Sequence, residues 1–119
     1  ENDRSLGILL EKDGTRIFLA GDIDNFSGDE KRLAPQIGKI NLLKVGHHSY
    51  AGSTSVCWLK TLKPDTCIIT NRHKGADKKT CFKIKLIARS DIFVTGTENG
   101  VIAEVHKNGR IDYFSNIHK

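Results

Sequence analysis

The sequence predicts an α/β fold with a mixed sheet and flanking helices. Three observations lead to this prediction: hairpin signals at both ends, alternation of short apolar runs with helix-spaced segments between them, and a globular composition. The chain has 119 residues, the length of one domain, with 38% hydrophobic and 28% charged residues. This composition excludes disordered, collagen-like and membrane-spanning classes.

The first part of the chain is predicted to form an antiparallel hairpin and a helix. Residues 5–11 and 16–20 are apolar runs, and Gly14 after an aspartate marks the tight turn between them. Residues 27–37 carry apolar residues at helical spacing, so a helix is expected there. Pro35 should make this helix short or broken.

The remainder is predicted to alternate strands with helices and to end in a second hairpin. We expect strands at 41–45, 66–70 and 92–95, helices at 56–62 and 80–89, and hairpin strands at 101–106 and 110–114. Ser53, Thr54 and Ser55 offer a cap for the first of these helices. Asn108-Gly109 supplies the final turn. The predicted order is therefore β-β-α-β-α-β-α-β-β-β.

Charge is distributed unevenly along the chain. Residues 1–38 carry five Lys or Arg against eight Asp or Glu, whereas residues 39–119 carry fourteen against six. Nine of these bases lie between Lys60 and Arg89, which favours a polyanion such as nucleic acid, although a solvated surface has the same pattern. The nearby aromatic residue Phe82 lies in an apolar periodic run and therefore predicts no stacking platform.

The three cysteines, Cys57, Cys67 and Cys81, match neither a disulfide framework nor a C-x-x-C metal site. We expect reduced thiols in the core, which favours a cytoplasmic location. A longer protein that is membrane-attached or extracellular is also compatible with the sequence. No apolar run approaches the ~20 residues that cross a bilayer, so no membrane segment is expected in this chain.

Two short motifs place polar residues directly after predicted strands, where ligands usually bind. In the first, Gly21 permits a sharp turn and Asp22 is projected beyond the strand end, where its carboxylate can bind metal. The second runs from Gly46 to Ser53, and its loop can offer backbone N–H groups to phosphate. An ordinary turn and a structural histidine pair are the alternatives.

The second motif contains the adjacent histidines His47 and His48. On extended backbone, adjacent side chains point in opposite directions, so at most one of them faces a given metal ion. The other can contact substrate or pack. The residues alone leave open which histidine has which role.

Three segments follow a known family pattern in combination. They are Asn2-x-x-Ser5-Leu6, Leu19-Ala20-Gly21-Asp22, and Leu42-Leu-Lys-Val-Gly-His-His48 followed by Ser53-Thr54-Ser55. In this order and spacing they resemble the metallo-β-lactamase superfamily, and more closely its ComEC-like, competence-protein-like hydrolases. The resemblance covers about residues 2 to 102 and implies an αββα sandwich of two sheets flanked by helices.

The resemblance also implies a site with two zinc ions, or other divalent metals such as manganese. Asp22 matches the metal-bridging aspartate, and one of His47 and His48 matches the last metal ligand, while the other would contact the substrate phosphate during catalysis. His73, Ser49 and Ser53 are implied substrate-binding residues. In such enzymes zinc lowers the pKa of bound water towards ~7 and so supplies hydroxide for hydrolysis.

Other family features are missing from this sequence. In the family, the motif H-x-H-x-D-H and a further histidine precede the position equivalent to Asn2, and this chain contains neither. Ser49-Tyr50 stands where the family usually has Gly-Ser. His73 is not followed by the proline that is usual in the family. Because a catalytic zinc needs about three protein ligands, two do not suffice. We therefore expect residues 1–119 to be the C-terminal half of one domain, inactive alone and without tightly bound zinc. The absence of Met agrees with a piece of a longer chain.

These features predict that the longer protein is a metal-dependent hydrolase of phosphodiesters or nucleic acid. The alternative is a non-catalytic basic module that binds nucleic acid or an acidic partner. Half of a sandwich would also leave strand edges and an apolar face uncovered. We therefore expect this piece to pair with the missing N-terminal half or to self-associate.

Overall fold

A computed structural model of the protein describes residues 5–26, 28–49, 52–72 and 76–115. The strands are β1 (Ile8–Lys12), β2 (Thr15–Leu19), β3 (Leu42–Lys44), β4 (Thr66–Ile69), β5 (Asp91–Val94), β6 (Val101–Val105) and β7 (Ile111–Ser115). The helices are α1 (Asp29–Ile37), α2 (Val56–Leu62), α3 (Lys78–Lys83), which continues as the π-helical turn Ile84–Ala88, and α4 (Thr95–Glu98). The predicted order is confirmed, and the short helix α4 was not predicted.

The main sheet is mixed, with the strand order β1-β2-β3-β4-β5. Strands β1 and β2 pair antiparallel, whereas β2, β3, β4 and β5 pair parallel in sequence order. Parallel neighbours need crossover connections, and α1, α2 and α3 provide them. The predicted α/β class with a mixed sheet and flanking helices is therefore confirmed. Strands β6 and β7 pair antiparallel in a second, two-stranded sheet, and the complete αββα sandwich stays a prediction.

The three crossover helices pack on one face of the sheet and form the core with it. Trp58 on α2 is buried and contacts Phe18 on β2 edge to face, with ring centroids 5.6 Å apart and planes at 73°. Such a pair adds to the burial of two large apolar side chains. The buried core comprises Phe18, Ala20, Ile23, Ala34, Ile37, Ile40, Leu43, Val45, Trp58, Leu59, Leu62, Cys67, Ile69 and Ile84.

The hairpin β6–β7 packs on the opposite face of the sheet. Phe93 alternates along β5 with the core residues Ile92 and Val94, so it points to that opposite face. Tyr113 on β7 stacks on Phe93, with centroids 5.3 Å apart and planes at 26°. Leu10 on the edge strand β1 remains 49% exposed. No helix among the described residues is long and apolar enough to span a bilayer.

Local signals explain the element boundaries. Asp13 and Gly14 both have positive φ, 51° and 82°, as a tight hairpin turn requires. Ser55 caps α2 as predicted, because its hydroxyl accepts a hydrogen bond from the Trp58 N–H at 3.2 Å. Pro35 lies inside α1, which is only nine residues long and ends two residues beyond it.

Two predictions about burial are wrong. Cys57 is exposed, because Trp58 and Leu59 direct the neighbouring face of α2 into the core, whereas Cys67 is buried as expected. Burial raises the pKa of the Cys67 thiol to about 12, so this cysteine is unreactive. Phe82 is 67% exposed rather than part of an apolar face. It lies two residues from buried Thr80, which places it on the opposite side of α3.

Candidate functional site

The two predicted motifs meet at one edge of the main sheet. Asp22 follows β2, His47 and His48 follow β3, and Thr70 follows β4. Because β2, β3 and β4 are parallel, their carboxyl ends and the loops after them lie side by side. The edge at which a parallel sheet usually binds ligands therefore carries the residues singled out by the sequence.

Asp22 and His48 form a close pair at this edge. The His48 Nε2 atom lies 3.4 Å from Oδ1 of Asp22, and both side chains are about half exposed. The Asp22 backbone N–H donates to the Ser5 hydroxyl at 2.7 Å, which ties the turn after β2 to the segment before β1. The structure thus brings together two predicted metal ligands that are separated by twenty-five residues in the chain.

The other ring nitrogen of His48 fixes the direction of the pair. Nδ1 lies 2.8 Å from the Thr70 carbonyl oxygen and 3.0 Å from the Thr70 hydroxyl. A carbonyl oxygen can only accept a hydrogen bond, so Nδ1 of His48 carries the hydrogen. The other ring nitrogen, Nε2, then faces Asp22. A metal ion could be held between Nε2 and the carboxylate, because both atoms are ligands that zinc accepts. Metal-bound histidines are commonly held in this way through the opposite nitrogen.

His47 has a different acidic neighbour. Its Nδ1 lies 4.0 Å from Oδ2 of Asp24, a carboxylate that is almost completely buried. Oδ1 of Asp24 accepts a hydrogen bond from the Phe26 N–H at 3.0 Å. The sequence left the two histidine roles open, and the structure pairs His48 with Asp22 and His47 with Asp24. Asp24 was missed, although its position two residues after Asp22 was a usable signal.

The histidine backbone differs from the prediction. Extended backbone was expected, but His47, His48 and Ser49 have φ values of 50°, 51° and 68°, in the left-handed region. This conformation costs roughly 1–2 kcal/mol per residue that carries a Cβ. Ser49 stands at the position where the family that this sequence resembles has glycine. Glycine adopts the left-handed conformation without strain. Backbone strain of this kind concentrates at functional sites.

Hydrogen bonds from three neighbouring segments hold this strained turn. The His47 N–H donates to the Gly21 carbonyl at 2.9 Å, and the Asn71 side-chain amide donates to the His48 carbonyl at 3.0 Å. The Ser53 hydroxyl donates to the Gly46 carbonyl at 3.1 Å. The loops after β2, β3 and β4 therefore fix one another, because each contact joins the turn to another part of the edge.

A glycine is required where the first two loops cross. A Cβ atom on Gly46 would lie only 2.5 Å from the Ile23 carbonyl oxygen, which is part of the backbone. Any larger residue would therefore push the histidine turn away from the segment that carries Asp22 and Asp24. The glycine before the histidine pair is thus explained by close backbone approach.

A buried carboxylate on α1 holds the far end of the histidine loop. Glu30 accepts hydrogen bonds from the backbone N–H groups of Thr54 and, at 2.7 Å, of Ser55. Burial raises the pKa of Glu30, and these two hydrogen bonds act against that rise. Glu30 is a positioning residue that the sequence did not reveal, because its partners lie more than twenty residues away.

Lys44 places a positive charge beside Asp22. Its side chain is partly buried, and Nζ lies 3.4 Å from the Gly21 carbonyl oxygen. Burial lowers the pKa of Lys44, whereas the negative charge of Asp22 raises it. A lysine at the end of β3 can therefore help to stabilise anionic groups at this edge.

The predicted substrate residues have different surroundings. Ser49 is completely buried, and Ser53 is almost completely buried and donates to Gly46. His73 lies outside the described residues. Their predicted roles in substrate binding stay predictions.

Within the described ranges, one trio of His, Cys, Asp or Glu has ligand atoms close enough for a shared metal ion. It comprises Glu104, His106 and Asp112, on and beside the hairpin β6–β7. His106 Nε2 lies 2.9 Å from Asp112 and 3.2 Å from Glu104, distances typical of hydrogen bonds. Among the described residues, no third His, Cys, Asp or Glu has a ligand atom close enough to share a metal ion with Asp22 and His48. That the remaining ligands come from outside residues 1–119 stays a prediction.

Comparison with known proteins gives two relatives. The chain is 35% identical over 121 residues to ComE operon protein 3 of Bacillus subtilis, a match that covers 97% of this chain and 15% of that protein. This chain is homologous to part of a competence-related protein. It is also 35% identical over 71 residues to Recombination protein 2 of Haemophilus influenzae, which covers 60% of this chain and 9% of that protein. No family model matches the chain.

The relatives confirm the competence-related part of the predicted resemblance. The chain spans about one seventh of the length of the first relative and less of the second. Membership of the metallo-β-lactamase superfamily stays a prediction.

Proposed function

We propose that this chain forms part of a metal-dependent hydrolase that cleaves phosphodiester bonds of DNA during DNA uptake or recombination. The observation that carries the proposal is the Asp22 and His48 pair, with Nδ1 of His48 bound to a carbonyl and Nε2 directed at the carboxylate. The names of the two relatives support the assignment to DNA.

The donor types of the pair suit zinc or manganese. Carboxylate oxygen and imidazole nitrogen both bind zinc, and carboxylates also bind manganese. A bound pair of metal ions would supply hydroxide and stabilise the charged oxygen atoms of a phosphodiester. Asp22 and His48 would hold metal, and His47 or Lys44 would contact the anionic substrate. The remaining ligands would come from outside residues 1–119, in an N-terminal half of the same domain.

The test is metal-dependent cleavage by the natural gene product that contains these residues. We expect DNA cleavage with zinc or manganese, and at least about a hundredfold loss of rate in Asp22→Asn and His48→Gln, as for a removed catalytic group. Asp112→Asn on β7 is the matched control and should retain the rate. Intact substrate in panels of DNA, small phosphodiesters and lactams would refute the hydrolase.

A non-catalytic DNA-binding module is the second candidate, and the lysine-rich α3 favours it. Lys78 and Lys79 are exposed side by side at the start of this helix. Salt-sensitive DNA binding that persists after alanine replacement of Asp22, His47 and His48, without cleavage by the natural gene product, would favour this module.

A further inference from the structure

One exposed aromatic side chain lies among lysines on α3. Phe82 is 67% exposed, and with Lys78, Lys79 and Lys83 it lines an open cavity of about 640 Å³. Single exposed apolar side chains are common, so the position of this ring among three lysines is the informative feature. An aromatic ring surrounded by cations suits a ligand that has both flat rings and negative charges.

A second exposed aromatic side chain lies beside the candidate metal site. Phe26 is 76% exposed and lines a cavity of about 270 Å³. Gly52 permits this position, because a Cβ atom there would lie 2.2 Å from the Phe26 ring, and its φ of 91° also favours glycine. This second cavity is lined by Asn25, Phe26, Gly52, Ser53, Ser55 and Lys83.

Lys83 joins the two cavities, because it lines both of them. Its charge also reaches Glu30, whose pKa it helps to lower against the larger effect of burial. The two cavities therefore adjoin at this lysine and form one surface that carries both aromatic rings. We name this surface, formed by Phe26, Lys78, Lys79, Phe82 and Lys83, the aromatic-lysine track.

The track leads to the candidate metal site through two hydrogen bonds. The Asn25 N–H donates to the Gly52 carbonyl at 2.7 Å, which closes the loop of Phe26 onto the histidine loop. The Ser53 hydroxyl, at the edge of the second cavity, donates to the carbonyl of Gly46, the residue before His47. A strand on the track would therefore pass close to the turn that carries both histidines.

We infer that the aromatic-lysine track binds single-stranded nucleic acid, with bases stacked on Phe26 and Phe82 and phosphates held by Lys78, Lys79 and Lys83. Unpaired bases expose the flat faces that stack on aromatic rings, whereas base pairs in a duplex cover them. The lysines match the phosphate charge but carry no base preference. The inference rests on the proposed function and narrows its substrate to single strands.

The test measures fluorescence anisotropy of a labelled oligothymidine with the 119-residue chain in EDTA. We expect the single strand to bind more tightly than the matching duplex. Phe82→Ala and Phe26→Ala should each weaken binding about 5- to 150-fold, the range for one lost base stack. Phe82→Trp should preserve binding. Phe114→Ala on β7 and Leu86→Ala, which remove similarly exposed apolar side chains outside the track, should leave binding unchanged.

The salt dependence tests the phosphate contacts separately. Three lysines predict a slope of log affinity against log salt of about −2 for a single strand, and Lys79→Gln should reduce its magnitude by about 0.7. Lys60→Gln on α2 is the matched control. Equal effects of the track and control variants would overturn the inference, as would tighter binding of duplex, polyglutamate or anionic lipid vesicles.

The binding assay and the cleavage assay fail independently. Binding of the single strand in EDTA that depends on Phe26 and Phe82, without cleavage by the natural gene product, would contradict the proposed hydrolase activity. It would leave the proposed role of the track intact. Metal-dependent cleavage together with unchanged binding in the Phe26 and Phe82 variants would contradict the proposed role of the track. It would leave the proposed hydrolase activity intact.

Discussion

Ser49 lies in the left-handed histidine turn and is completely buried. Its φ is 68°, and its buried hydroxyl has no hydrogen-bond partner among the described residues. Both features cost free energy in the folded state, and glycine would remove both. The left-handed turn is therefore maintained by its neighbours rather than by the residues inside it.

Ser49→Gly should stabilise the protein. Relief of strain and of the buried hydroxyl should exceed the entropy that glycine adds to the unfolded chain, with a net gain of about 1 kcal/mol. Urea unfolding checks this, with Ser49→Ala as the control that removes the hydroxyl but keeps the strain. A lower midpoint for Ser49→Gly than for the original chain would show that the hydroxyl has a stabilising contact.

Glu30 should make stability depend on pH. Because burial raises its pKa in the folded state, the folded protein binds more protons than the unfolded chain above the ordinary value of 4.5. The contribution of Glu30 to the free energy of unfolding is fully present below pH 4.5. It is lost as the pH rises through the pKa of Glu30 in the folded protein.

Urea unfolding of the original chain and Glu30→Gln between pH 4.5 and 7 measures this contribution. The original chain should have the larger free energy of unfolding, and its difference from the variant should shrink as the pH rises. At neutral pH the variant should still lose about 1–3 kcal/mol, because one backbone N–H loses its acceptor. An advantage that grows with pH would mean that the hydrogen bonds from Thr54 and Ser55 outweigh burial.

At the scale of the elements, α3 depends on its cap. The Asp77 carboxylate accepts hydrogen bonds from the Thr80 N–H at 3.0 Å and from the Thr80 hydroxyl at 2.7 Å. Asp77→Ala should destabilise the protein by roughly 1 kcal/mol at neutral pH, the usual value for a lost N-cap. Circular dichroism during thermal unfolding gives the measurement.

The pH dependence separates the charge of this cap from its hydrogen bonds. The bonds with Thr80 lower the pKa of Asp77, so its contribution is present above its ordinary value of 3.8 and is lost as pH falls through the folded pKa. Asp77→Asn should keep most of the stability at pH 7 and lose this dependence. An unchanged acid profile in Asp77→Asn would contradict the account.

Most elements could be predicted because their signals are local. The Asp13-Gly14 turn, the Ser55 cap and the apolar runs of β2 to β5 depend on residues that are close in sequence. The orientation of Phe82 was missed because it depends on which side of α3 meets the core. Asp22 and His48 were found from motifs, whereas Glu30 and Thr70 act through partners more than twenty residues away.

At the scale of the whole molecule, the sheet has an apolar face that the hairpin β6–β7 covers only in part. Ile8 and Leu10 on the edge strand β1 are 45% and 49% exposed. Edge strands and apolar patches both favour association. Self-association of the 119-residue chain stays a prediction, and this exposed edge is where we expect the contact.

Analytical ultracentrifugation of the 119-residue chain tests self-association. We expect its average mass to rise with concentration, and Leu10→Lys to reduce that rise. Leu86→Lys, at an exposed position beyond the main sheet, is the matched control. A single monomeric species at the highest concentration would contradict the prediction.

We expect Nε2 of His48 to bind a metal ion together with the Asp22 carboxylate. Nitrogen-15 spectra of the histidine rings, recorded during a zinc titration of the 119-residue chain, measure this binding. We expect hydrogen on Nδ1 of His48 throughout and a zinc-dependent shift of its Nε2 that Asp22→Asn weakens. Hydrogen on Nε2 alone, or zinc that shifts only His106 in the trio with Glu104 and Asp112, would contradict this expectation.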